Sequence, residues 1–164
     1  IIHEGFMSTP FAFEPADPRL MREKPRGLTG RVLSPLLMRF VILTSVMGAA
    51  LFLGFYILLY SLAIPLDHLR TLVFGALSLT ALTMVLSFKN PAQPIWRIPM
   101  FSNRILLFSL AGSFTILILT LVLPFTRSLL SLTILGPNDI FILGAFGIVN
   151  IFVVEFSKWL SRRF

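Results

Sequence analysis

The sequence predicts an all-α membrane protein, with four transmembrane helices forming two hairpins and the C-terminal end of a further transmembrane helix ahead of them. Three observations predict it. Four apolar stretches nearly free of charge run from Phe40 to Leu66, Thr71 to Phe88, Ile105 to Thr126 and Ile140 to Val154, and roughly 20 apolar residues in a helix cross a hydrocarbon core of about 30 Å. The last stretch reaches that length when Glu155 lies near the membrane edge. The 164 residues are 56% hydrophobic and 13% charged, with a mean hydropathy of +0.90, too little polar surface for a water-soluble domain. Lys and Arg gather in alternate connections, which gives the chain an orientation.

In chain order, residues 1–13 open with Ile1-Ile2-His3-Glu4-Gly5-Phe6-Met7. They are mostly apolar but too short to span, and read as the end of a membrane helix whose first half is missing. No basic segment followed by a small-residue cleavage site marks a signal peptide. Residues 14–33 read as a cytoplasmic loop. Ser34-Pro35 then starts a span over about 34–64, with a hydroxyl to cap free N–H groups and a proline that has none to leave unsatisfied. Pro65 closes that span, and the next covers about 69–88. A third over about 103–124 ends at Pro124. Gly136-Pro137-Asn138-Asp139 punctuates the chain before a fourth at about 138–160, with Asn138 or Asp139 as its cap.

Positive charge fixes which connections share a side. Arg19, Arg22, Lys24, Arg26, Arg31 and Arg39 precede the first full span, Lys89, Arg97 and Arg104 lie between the second and third, and Lys158, Arg162 and Arg163 close the chain. The other two connections hold only Arg70 and Arg127. The positive-inside rule places the first group in the cytoplasm. The expected location is an integral, multi-pass position in a bacterial plasma membrane, C-terminus cytoplasmic. The formal charge of +7 then faces anionic headgroups of the lipid bilayer, and nucleic acid is not expected as a partner. Zero cysteines exclude a disulfide framework and a Cys-based zinc site. Tyr56, Tyr60, Trp96 and Trp159 lie towards span ends or in adjoining loops, as interfacial anchors do.

Few groups in the spans carry chemistry, and no catalytic residue is assigned. Ser78, Thr80, Thr83 and Ser87 give the second span a polar face, Ser109 and Ser113 form a small-xxx-small pair, and Gly144, Gly147 and Asn150 mark the fourth span. Helix packing explains them better than ion coordination, because small residues let backbones approach and hydroxyls bond across helices. Met7, Met38, Met47 and Met84 read as filler. A charge at membrane depth costs at least roughly 2.5 kcal/mol, so two carboxylates stand out. Glu155 stands three residues before Lys158, spacing for a structural ion pair on the last helix, with a transport role as the alternative. Glu4, beside His3, has no basic neighbour within a helical turn. A cation, or a residue on another segment, would be its partner.

The segment Phe13-Glu14-Pro15-Ala16-Asp17-Pro18, with Leu20-Met21 and Lys24-Pro25-Arg26, resembles the loop after the sixth transmembrane helix of P-type cation-transporting ATPases. There a Gly-Phe-x-Pro-x-Asp-x-x-Met-x-x-Pro-Pro-Arg pattern recurs; Ala12 replaces the glycine and Lys24 the first proline of the pair. Pro94-Ile95-Trp96-Arg97 and Phe101-Ser102-Asn103-Arg104 are similar to the family's connection between its eighth and ninth helices. Glu155-Phe156-Ser157-Lys158 resembles the Glu-x-x-Lys near the end of its tenth.

The resemblance covers the whole chain in order and implies the C-terminal membrane domain of such a calcium or other cation pump, helices seven to ten with the end of six. It implies a cycle in which ATP, with Mg, phosphorylates an aspartate on a cytoplasmic domain and cations cross the membrane. The Asp-Lys-Thr-Gly-Thr phosphorylation motif and the nucleotide pocket would lie upstream, so no cofactor is expected in this fragment. The implied partners are the N-terminal helices and cytoplasmic domains of the same pump. His3-Glu4-Gly5 stands where calcium and sodium pumps of the family carry Thr-Asp-Gly, which makes Glu4 the carried-over ion and metal ligand, with His3 beside it. The eighth helix of calcium pumps adds a glutamate, and Ser78 to Thr83 has no carboxylate, which argues against two calcium ions. The loop from Glu14 to Arg31, through Arg22, Lys24 and Arg26, is expected to contact the phosphorylation domain. The rival readings are a freestanding four-helix channel or assembly subunit, and a non-transporting remnant of the pump family.

Overall fold

The computed structural model describes residues 9–13, 34–90, 93–97 and 102–163. Four long helices form it: α1 (Pro35–Ser61), α2 (Leu66–Phe88), α3 (Arg104–Val122) and, after a short α4 (Pro124–Leu130), α5 (Pro137–Arg163). Single turns of 3-10 helix occupy Thr9–Phe13 and Ile95–Arg97, and no strand occurs among the described residues. All four long helices are long and apolar enough to cross a membrane. Even the 19 residues of α3, at about 1.5 Å each, reach roughly 28 Å.

Local chemistry sets the ends. Ser34 Oγ accepts from Leu37 N at 3.2 Å with Pro35 in the first turn of α1, and Asn103 Oδ1 accepts from Leu106 N at 2.9 Å at the start of α3. Both satisfy N–H groups that a helix leaves open. Prolines act here as starters. α1 ends at Ser61, the chain turns through Ala63 at a φ of 53°, and Pro65 then stands at the N-cap of α2. Likewise α3 ends at Val122 and Pro124 opens α4, a helix the apolar run to Thr126 concealed. Ser131, at a φ of 52°, closes that short helix in the left-handed region. At the start of α5, Asp139 Oδ2 accepts from Gly136 N at 2.6 Å, an acid in the first turn reaching back over it.

Packing crosses the sequence order. α5 lies against both α1 and α2, so the first and last spans share the widest contact, and α3 packs on α2. Phe146 is the centre of the first core, with ring centroids 4.6 Å from Phe55 and 5.7 Å from Phe52. Around it close Leu59, Leu69, Leu72, Ala76 and Leu143. The second core joins Leu82 and Val85 of α2 to Leu106 and Leu117 of α3, and Phe11 packs against it. The hydrophobic effect holds no helices together inside lipid, so close fit must. Gly75 supplies such a fit: a Cβ there would stand 2.9 Å from Leu143 Cδ1.

The outer faces stay apolar. Phe108, Phe125, Phe141 and Phe152 are among the most exposed side chains, which a bilayer or neighbouring helices must cover. Tyr60 and Trp96 are also well exposed, and Arg163 lies 4.0 Å over the Trp159 ring.

Candidate functional site

At the end of the bundle where α5 finishes, Lys158 Nζ lies 2.9 Å from Glu155 Oε1, one helical turn apart. The lysine side chain is 0% exposed and the glutamate 9%. Neither charge stops at its partner. Lys158 Nζ also donates to the Gln93 carbonyl at 3.2 Å, and Glu155 Oε1 accepts from Ile95 N at 3.2 Å. The pair therefore clamps the connection between α2 and α3 onto the last helix, giving a buried charge pair the extra hydrogen bonds it needs. Next to it Ser157 Oγ donates to Val153 O at 2.9 Å and lies 3.4 Å from Met47 Sδ of α1.

At the same end, Asn103 is 3% exposed and works in two directions. Its Oδ1 caps α3 while its Nδ2 donates to the Pro10 carbonyl at 3.1 Å. With Phe11 inserted against the second core, this seats Thr9–Phe13 on the start of α3.

The polar residues at mid-span are satisfied largely by their own helices. Ser78 Oγ donates to Phe74 O at 3.0 Å, Thr80 Oγ1 to Ala76 O at 2.9 Å and Thr83 Oγ1 to Thr80 O at 2.9 Å. Of the polar face on the second span, Thr83 reaches across to α5, accepting from Asn150 Nδ2. Asn150 is 1% exposed and Ser113 0%; their Oδ1 and Oγ, with Thr44 Oγ1, have no hydrogen-bond partner among the described residues.

The opposite end holds a network that no sequence pattern signals. His68 of α2 bonds Thr133 Oγ1 through Nδ1 at 2.8 Å and Asp139 Oδ1 through Nε2 at 2.9 Å. Thr71 Oγ1 donates to Asp67 O at 2.9 Å and accepts from Thr133 N at 2.8 Å. Thr133 and Asp139 stand 62 to 71 positions from their partners Thr71 and His68, and only tertiary structure brings them together. The sequence offered Asn138 or Asp139 as the cap; the helix begins at Pro137, before both, with Asp139 in its first turn reaching back to Gly136 N, and the bond of Asp139 to His68 had no sequence signal.

His3 and Glu4, and the loop residues Arg22, Lys24 and Arg26, lie outside the described residues. Among the described residues no group of three or more His, Cys, Asp or Glu side chains is placed to hold a metal ion. The described spans offer packing, a buried clamp and isolated hydroxyl and amide groups.

Four membrane-length helices, sparse in charge and locked by a buried pair at one end, define a polytopic membrane domain. The family described as cation transporting ATPase, C-terminus, matches residues 1–160, and the chain belongs to it. No curated protein matches the chain.

Proposed function

We propose that this membrane domain of a cation-transporting ATPase supports the helices that move ions and supplies one edge of the cation site through Glu4 and His3. The observation that carries the supporting role is the buried Glu155–Lys158 clamp, in a bundle whose described residues bring no three His, Cys, Asp or Glu side chains together. A charge pair already satisfied inside the bundle favours a fixed frame, whereas a transport path needs charged groups free to bind and release an ion. The seating of Thr9–Phe13 through Asn103 and Phe11 supports the edge role, since it ties the segment beginning five residues after Glu4 to the frame. The cation is the substrate of the cycle, and a carboxylate beside an imidazole suits a divalent ion. The C-terminus faces the cytoplasm, where basic connections and the 14–33 loop meet the domains that use ATP and Mg.

The test is made on the full-length pump. Glu4→Gln should raise the cation concentration needed for phosphorylation by ATP, with phosphorylation by inorganic phosphate retained. An unchanged cation dependence removes Glu4 from the site. Replacing Arg22, Lys24 and Arg26 together by Ala should instead impair phosphoenzyme formation at saturating cation; normal phosphorylation there refutes the loop contact.

A further inference from the structure

At the end of the bundle that carries His68, α2, α3 and α5 enclose a cleft of about 590 Å³ floored by Gly75, Leu79, Leu117, Leu143 and Gly144. That volume is in the range of about 300–1,000 Å³ typical of small-molecule sites. Phe114, Ile118, Val122, Ile134 and Ile140 line it and are exposed. The cleft therefore opens to the outside of the bundle, where acyl chains lie. One charged side chain borders it, Arg127 of α4.

Arg127 is without a counterion among the described residues. Its Nε is buried and has no hydrogen-bond partner among the described residues. Asp139 is held by His68 and Gly136 N, and Asp67 lies 4.0 Å from Arg70. A guanidinium at the mouth of an apolar cleft calls for a ligand with an anionic head and a hydrocarbon tail, because its planar donors match phosphate oxygens in pairs. A further apolar helix laid over the cleft would satisfy the walls and strand the charge. The backbone also leaves room for a tail. A Cβ added at Gly144 would meet nothing within 4 Å.

We propose that this cleft binds an anionic phospholipid, with one acyl chain along Gly144 and Leu117 and the phosphodiester on Arg127. A zwitterionic lipid brings its own cation beside the phosphate and so competes with the arginine. This goes beyond the pump reading and rests only on the chain's lying in a membrane.

The full-length protein in neutral detergent is titrated separately with phosphatidylglycerol and phosphatidylcholine, and the lipid bound is read by native mass spectrometry. Phosphatidylglycerol should bind more tightly. Arg127→Gln should weaken it about fivefold, the worth of one interfacial charge, while leaving phosphatidylcholine unchanged; Arg127→Lys should keep most of the preference. Gly144→Leu, which fills open space, should reduce retention of both lipids. Equal binding of the two lipids by the unaltered protein overturns the proposal. So does an unchanged preference in Arg127→Gln, full retention in Gly144→Leu, or a failure to bind either lipid because another helix of the pump occupies the cleft.

Discussion

Replacing Lys158 by Met tests whether the buried clamp holds the domain together. The variant keeps side-chain length and apolar stem but leaves Glu155, 9% exposed, without its cation at 2.9 Å. It also abandons the Gln93 carbonyl, 3.2 Å from Nζ. Removing one partner of a buried pair costs about 3–5 kcal/mol, because the remaining charge keeps its desolvation penalty and loses its compensation. Glu155→Leu should cost a similar amount, since it strands the lysine and frees Ile95 N. The double variant removes both charges, so what remains is the loss of two hydrogen bonds to the connection, each worth about 1.5–3 kcal/mol at most for a charged partner. It should therefore be more stable than the sum of the singles predicts. Denaturant unfolding of the detergent-solubilised protein, followed by tryptophan fluorescence, supplies the cycle. Additive losses would refute the clamp, as would a Lys158→Met cost below about 1 kcal/mol.

Two further outcomes follow from the packing. Asn103→Ala deletes a helix cap and the bond to the Pro10 carbonyl, and should cost about 1–3 kcal/mol; protease cleavage near residue 13 should rise with it, and an unchanged cleavage rate would show that Asn103 does not hold that segment. Gly75→Ile should destabilise by about 1–3 kcal/mol through overpacking against Leu143, whereas Gly54→Ala, with nothing within 4 Å of its added Cβ, should be neutral by the same unfolding measurement.

Much of the architecture was legible because the bilayer imposes a coarse requirement. Length and apolarity alone declare a span, and Ser34-Pro35 declares a start. Prolines were harder to read: Pro65 and Pro124 each follow an apolar run, and a residue that ends one helix and begins the next gives the same signal for both. The hydroxyls of Ser78, Thr80 and Thr83 looked like a face aimed at other helices. Each also back-bonds to a carbonyl three or four residues earlier, a local alternative the sequence does not rank, and Thr83 in addition meets Asn150 of α5.

By itself the sequence determined that the chain crosses a membrane four times, and its spacing put Glu155 and Lys158 one turn apart. Their joint hold on Gln93 and Ile95 was decided by tertiary structure, as were the bond of His68 to Asp139 and the solitary charge of Arg127 beside an apolar cleft. The reason is physical. Burial in lipid is a property of each segment and is written in its composition, whereas the partner of a polar group depends on which helix faces which. In this bundle that choice is made by the fit of side chains such as Phe146 and Leu143 against Phe55 and Gly75.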